Sequence, residues 1–114
     1  KEEPGIYARI NAMGDRFRAE INRFAEEEVY GATAVGAGSM FWMHPCRGPV
    51  NSVRDAHRGH PFAGPGLRLL FRKNGVHISP HHGFMCAAHT DDDITRLIEV
   101  HKSAMAELRA QGVW

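Results

Sequence analysis

The chain has 114 residues, 43% of them hydrophobic, enough to bury one modest core and to fold as a single domain spanning 1–114. Its fourteen basic residues, scattered and nearly balanced by thirteen acidic ones to a net charge of +1, do not point to a nucleic-acid partner. No apolar run approaches the roughly 20 residues that a membrane-spanning helix requires, no secretion signal is visible, and two cysteines forty positions apart make no disulfide framework, so a reducing cytoplasmic setting and no membrane partner are expected.

Ile6, Ile10, Met13, Phe17, Ile21 and Phe24 recur at intervals of three and four. That spacing predicts an amphipathic helix from about Pro4 to Glu28, with Pro4 in its first turn and Arg9, Arg16, Arg18, Arg23, Glu26 and Glu27 on the wetted side. Tyr30 to Val35 and Ser39 to His44 are short β-compatible stretches joined by Gly36-Ala37-Gly38, a natural hairpin. Pro45 to Gly66 carries four prolines and four glycines and reads mostly as loop. Leu67, Leu70 and Phe71 mark one face of a short helix that ends at Arg72-Lys73, with Asn74-Gly75 as its stop.

A strand is expected at Val76 to Ser79, a turn at Pro80 to Gly83 and a further strand at Phe84 to Ala88. Thr90 with Asp93 three residues later, and three consecutive aspartates at the positive helix end, start the final helix, whose apolar stripe is Ile94, Leu97, Ile98, Met105 and Leu108. The expected class is α+β, a two-layer sandwich in the order helix-strand-strand-helix-strand-strand-helix. The start at Lys1 suggests a piece of a longer polypeptide, and the residues up to Trp114 read as a natural chain end.

Four segments in order resemble the C-terminal small domain of class III pyridoxal-phosphate (PLP) aminotransferases. Gly38-Ser39-Met40-Phe41 resembles the family's GSMF strand, and Pro49 to Ala56 is similar, with a one-residue offset, to the PV-x-N-Y-x-D-A stretch of the glutamate-1-semialdehyde aminomutase branch. Gly75 to Pro80 resembles GVYLAP, and Ala88-His89-Thr90-Asp91-Asp92-Asp93-Ile94 resembles AHTDEDI almost letter for letter.

The resemblance implies a fold-type I enzyme in which a separate large domain binds PLP and supplies the Schiff-base lysine, while the small domain closes over a small amino-compound substrate. It also implies a homodimer with the active site near the subunit interface. The chain alone is then expected to hold no PLP and to be inactive, since Lys1 is terminal, Lys73 lies in a helix's last turn and Lys102 is on a solvent face. The alternative is a stand-alone, non-catalytic binding or interaction module with the same fold.

Candidates for the substrate pocket or the face toward the large domain are Ser39, Met40, His81, His82 and Gly83, with no catalytic, cofactor-binding or metal residue among them. Alternate residues of Met40 to Met43 should point to opposite faces, one of them toward the large domain. The stretch around His81-His82 is three residues shorter than in the aminomutases and lacks both their glutamate and the carboxylate-binding arginine of other branches. A histidine there is a candidate to hydrogen-bond a substrate carboxylate in the parent enzyme. His57-x-x-His60, His81-His82, Cys46 and Cys86 have no diagnostic metal spacing. Cys86 reads as a small hydrophobe in an apolar strand, and His89 as a structural hydrogen-bonding residue.

Overall fold

The computed structural model describes residues 4–78 and 82–114. Its elements in chain order are α1 (Ile6–Glu27), β1 (Thr33–Val35), β2 (Met40–His44), the short helix α2 (Val53–Ala56), α3 (Ala63–Lys73), β3 (His82–Phe84) and α4 (Asp91–Ala110). The strands form one antiparallel sheet in the order β1-β2-β3. The α+β class holds, but the described residues contain three strands, and the single helix expected between the second and third of four strands is replaced by two.

Helix α1 lies across β1 and β2 and against α4, which in turn packs on α3. The stripe read from the sequence supplies the core: Met13, Phe17 and Ile21 are buried, as are Ile94, Ile98, Met105 and Leu108 of α4 and Leu67, Leu70 and Phe71 of α3. Phe41 on β2 enters this core and meets the Phe17 ring at 4.3 Å. His101 of α4 is buried at the same point, 4.8 Å from the Phe17 ring and 4.3 Å from that of Phe71, with its Nδ1 2.8 Å from the Leu97 carbonyl. The pattern of apolar residues does not single out this histidine.

The polar side of α1 does more than meet water. Arg9 donates to the carbonyls of Ala87 and His89, Arg16 to Asp91 O and Thr95 Oγ1, and Arg18 to Gly38 O at 2.9 Å and to Met40 O. These arginines tie α1 to the hairpin turn, to the turn before α4 and to the first turn of α4. Asn22 acts as a strand-mate at the sheet edge: its Oδ1 accepts from Ala34 N–H at 2.8 Å and its Nδ2 donates to Ala34 O at 2.9 Å. Gly14 lets the hairpin turn approach α1, because a Cβ there would sit 2.0 Å from the Gly38 carbonyl oxygen.

The expected strand at Val76 to Ser79 is not formed at 76–78, and Ser79 lies outside the described residues. The reason is local. Gly75 takes φ +77°, its N–H donates to Arg72 O, and Val76 N–H donates to Phe71 O, the two bonds of a Schellman stop. The Val76 donor is thereby spent on the helix end, and Val76 and Ile78 pack against the core across a cleft of about 360 Å³ from Gly83 and Met85.

The last strand comes earlier than expected, at His82–Phe84, so His82 and Gly83 belong to a ladder rather than to the turn expected at Pro80 to Gly83. The Phe84 to Ala88 reading fails beyond Phe84: the strand ends there, Met85 N–H donates to the Ser39 carbonyl, and Cys86 to His89 make a turn. The stretch read as loop also hides two helices. Ser52 caps α2 by accepting from Asp55 N–H, and α3 starts at Ala63, where Pro65 is tolerated in the first turn because its missing N–H would have no partner there.

Candidate functional site

The strand register sorts the second hairpin into two faces. Phe41 stands opposite Gly83 and points into the core, where a Cβ on Gly83 would lie 2.5 Å from the Phe41 ring. Met40 stands opposite Phe84 and Trp42 opposite His82, all on the face that no helix covers. Trp42 stacks on His44 at 5.1 Å with the ring planes 19° apart, and meets His82 at 5.2 Å on its other flank. His82 in turn meets the Phe84 ring edge-on at 6.4 Å. The result is an aromatic and imidazole row across two strands.

One atom in this row stands out: His82 Nδ1 is buried without a hydrogen-bond partner among the described residues. Burial also pushes the His44 imidazole below its ordinary pKa, which favours the neutral ring. At the Trp42 end the row opens into a groove of about 550 Å³, walled by Trp42, His44 and Pro45 on one side and by Val53, His57, His60 and Pro65 on the other. No Lys, Arg, Asp or Glu lines it among the described residues.

The groove histidines have their inner nitrogens engaged locally. His57 Nδ1 lies 2.8 Å from Val53 O, and His60 Nδ1 accepts from Phe62 N–H at 3.2 Å. Their outer nitrogens therefore differ in role when the rings are neutral: the His57 Nε2 accepts and the His60 Nε2 donates.

Of the candidates read from the sequence, Ser39, Met40, His82 and Gly83 come together on the β2–β3 ladder, where Ser39 O accepts from Met85 N–H at 2.8 Å. His81 lies outside the described residues. Trp42, His44 and the groove were not among those candidates. The alternation through Met40 to His44 was the signal that could have placed Trp42 and His44 beside Met40, and Ser52-x-x-Asp55 the one that could have placed the far wall on a helix.

The remaining reactive groups are elsewhere. Cys86 is exposed on a turn rather than packed in a strand, and its N–H donates to His89 Nδ1 at 3.0 Å, so His89 serves the local hydrogen bonding expected of it. Cys46 is the packed thiol, and burial raises its pKa. Lys102 is not on a solvent face: it is half-buried, pairs with Glu20 at 3.4 Å and lies over the Phe24 ring. Neither it nor Lys73 lines the groove, and a phosphorylated pyridine cofactor, which asks for a reactive amine and for cations at its phosphate, does not fit these walls.

The fold of this chain is similar to that of one segment of solved transaminases. The β-phenylalanine aminotransferase of Variovorax paradoxus superposes with a TM-score of 0.81 at 22% identity, over 89% of this chain and 24% of that one. A glutamate-1-semialdehyde aminomutase of Pseudomonas aeruginosa, solved in complex with PMP, gives 0.78 at 16% identity over 93% and 24%.

In sequence the chain is similar to the glutamate-1-semialdehyde 2,1-aminomutase of Methanobrevibacter smithii, 29% identical over 103 residues that make up 88% of this chain and 24% of the relative. No family model matches. The chain thus corresponds to the C-terminal portion of PLP-dependent aminotransferases and aminomutases, and it spans about a quarter of the length of the curated relatives it matches.

Proposed function

We propose that this chain is the small C-terminal domain of a PLP-dependent aminotransferase or aminomutase that acts on a small amino compound, and that it helps to close the substrate pocket of that parent enzyme. The observation that carries the reading is the similarity over nearly the whole chain to aminomutase sequence, joined to the same segment's fold in aminotransferases. PLP, held by the rest of the parent, supplies the electron sink that loosens the bonds at an amino-bearing carbon. The part of this chain is positional: it presents Met40 and His82 on the open face of the β2–β3 ladder toward the rest of the parent, with Gly83, opposite Phe41, on the core side.

The parent works in the cytoplasm as a homodimer on this reading; no described helix is long and apolar enough to cross a membrane. The test is to express the complete reading frame that contains this chain, and to measure PLP content by absorbance and amino transfer from a panel of amino donors. PLP retention and turnover are expected from the parent, and no turnover above the free-cofactor background from the 114-residue chain. A complete reading frame whose product retains no PLP would overturn the proposal in favour of a non-catalytic module.

A further inference from the structure

We infer that the groove between the end of β2 and α2 is a binding site for an uncharged, planar molecule that carries a hydrogen-bond donor and an acceptor side by side, as a carboxamide beside an aromatic ring does. This site goes beyond the function proposed above and does not depend on it. The groove is a built feature, because its two walls are tied to each other. Arg58, just after α2, donates to the carbonyls of Pro49 at 2.7 Å and Arg47 at 3.1 Å. Gly59 lies against the strand side so closely that a Cβ there would sit 1.8 Å from the Pro45 carbonyl oxygen. On the helix side the Asp55 carboxylate accepts from Asn51 N–H and the Ser52 hydroxyl from Asp55 N–H, which fixes the chain where it enters α2.

A volume of about 550 Å³ is in the range that small organic molecules occupy. Trp42, Pro45, Val53, Ala56 and Pro65 supply apolar walls, and no Lys, Arg, Asp or Glu lines the groove among the described residues. A charged ligand would lose hydration there without meeting a counter-charge, so a neutral one is favoured. His44, in the same wall as Trp42, is held toward its neutral form by burial and adds no charge. The polar selectivity comes from His57 and His60. The His57 Nδ1–H donates to the Val53 carbonyl and the His60 Nδ1 accepts from Phe62 N–H, which orients both rings and leaves one outer nitrogen that accepts and one that donates. A lone acceptor or a lone donor on the ligand satisfies one imidazole; a carboxamide satisfies both. A metal ion is not the occupant, since no group of three or more His, Cys, Asp or Glu among the described residues could hold one.

Indoles that share one ring system separate these requirements: indole-3-acetamide is neutral with a donor and an acceptor, indole-3-acetate is anionic, tryptamine is cationic, and 3-methylindole lacks the polar pair. Each is titrated calorimetrically at pH 8, where imidazoles are neutral, into the product of the complete reading frame that contains this chain. Indole-3-acetamide is expected to bind roughly tenfold or more tightly than the other indoles, as two added hydrogen bonds predict. His57→Ala and His60→Ala should each weaken the acetamide roughly three- to tenfold and leave 3-methylindole little changed.

Failure of the acetamide to bind overturns the inference, and so does an affinity no better than that of 3-methylindole or of either charged indole. Nuclear Overhauser contacts between the bound indole ring and the methyl groups of Val53 and Ala56 place the ligand without recourse to a variant; acetamide bound without them sits elsewhere, which also sinks the site. PLP content is measured on the same sample, so the two readings fail separately. A product that holds PLP and ignores the acetamide leaves the enzyme reading standing, and one without PLP that binds the acetamide in the groove leaves the site standing.

Discussion

Phe41 and Met43 on one side of β2, and Met40 and Trp42 on the other, are consecutive residues of similar apolarity with opposite surroundings. The first pair is buried, with Phe17 and His101 beside Phe41; the second pair lies open, with the imidazoles of His44 and His82 flanking Trp42. Composition therefore does not distinguish a core face from an open one. What differs is the fit. The core side has a glycine where two backbones or a ring approach closely, as at Gly14 and Gly83, and the open side has a buried nitrogen, His82 Nδ1, that lacks a partner among the described residues.

The largest test of this contrast removes one ring from each side. Phe41→Ala should cost about 3–5 kcal/mol of stability by urea denaturation of the chain, the usual toll of an emptied core site. Trp42→Ala should cost less than about 1.5 kcal/mol, since only its flanking ring contacts are lost. Equal losses would mean that the open face is a second core of the chain and not a surface.

Gly14 sharpens the comparison on the covered side. In an ordinary helix interior Gly→Ala gains about 1 kcal/mol. Here the added Cβ meets the Gly38 carbonyl, so Gly14→Ala should instead cost about 1–3 kcal/mol through overpacking. A stabilised variant would show that the hairpin turn yields freely and that its approach to α1 is loose.

Val29, where α1 ends, has φ +58° and is exposed, while Arg109 stacks on Tyr30 and donates to the carbonyls of Glu28 and Val29. The same stop at α3 and α4 uses Gly75 and Gly112. Val29→Gly should therefore raise stability by about 1 kcal/mol, the cost of a left-handed β-branched residue. A thermal midpoint that does not rise would show that the Arg109 contacts depend on the valine.

The smallest effect concerns the start of α4. The Thr90 backbone N–H, bonded at 2.8 Å, and then the Thr90 side chain hold the Asp93 carboxyl below its ordinary value of 3.8. A lowered folded value gives stability that is whole above pH 3.8 and is lost as the pH falls through the folded value. The urea midpoints of the wild type and Asp93→Asn should differ at neutral pH and converge in acid. A difference that persists unchanged to low pH would assign the effect to something other than this ionisation.

Where structure follows from contacts within one turn, the sequence was sufficient. The period of Ile6 to Phe24, the Thr90–Asp93 box and the Asn74-Gly75 stop all concern residues three to five apart, and all are present in the fold. The aminotransferase resemblance was legible for a related reason, since the four motifs lie at turns, strand starts and helix starts where particular side chains are needed in order.

The misreadings arise where two local signals compete. Val76-His77-Ile78 has the composition of a strand, but the helix stop before it takes the Val76 N–H. Ala63 to Gly66 has the composition of a loop, yet α3 begins there, because Ala63 and Gly64 are buried in its first turn and such packing leaves no trace in propensity.

By itself the sequence determined α1, α4 with its Thr90 cap, the stop of α3, the first hairpin and the apolar faces, because each is set by the spacing of side chains along a regular backbone. Only the tertiary structure decided that His101 closes the core, that Asn22 completes the edge of β1, and that Trp42, His44 and His82 stand in one row beside a groove. These depend on strand register and on helix placement, and the Trp42–His82 and Phe17–His101 contacts join residues 40 and 84 positions apart. Register is fixed by which side chains fill the space between sheet and helices, and no window of the sequence contains both partners of such a pair.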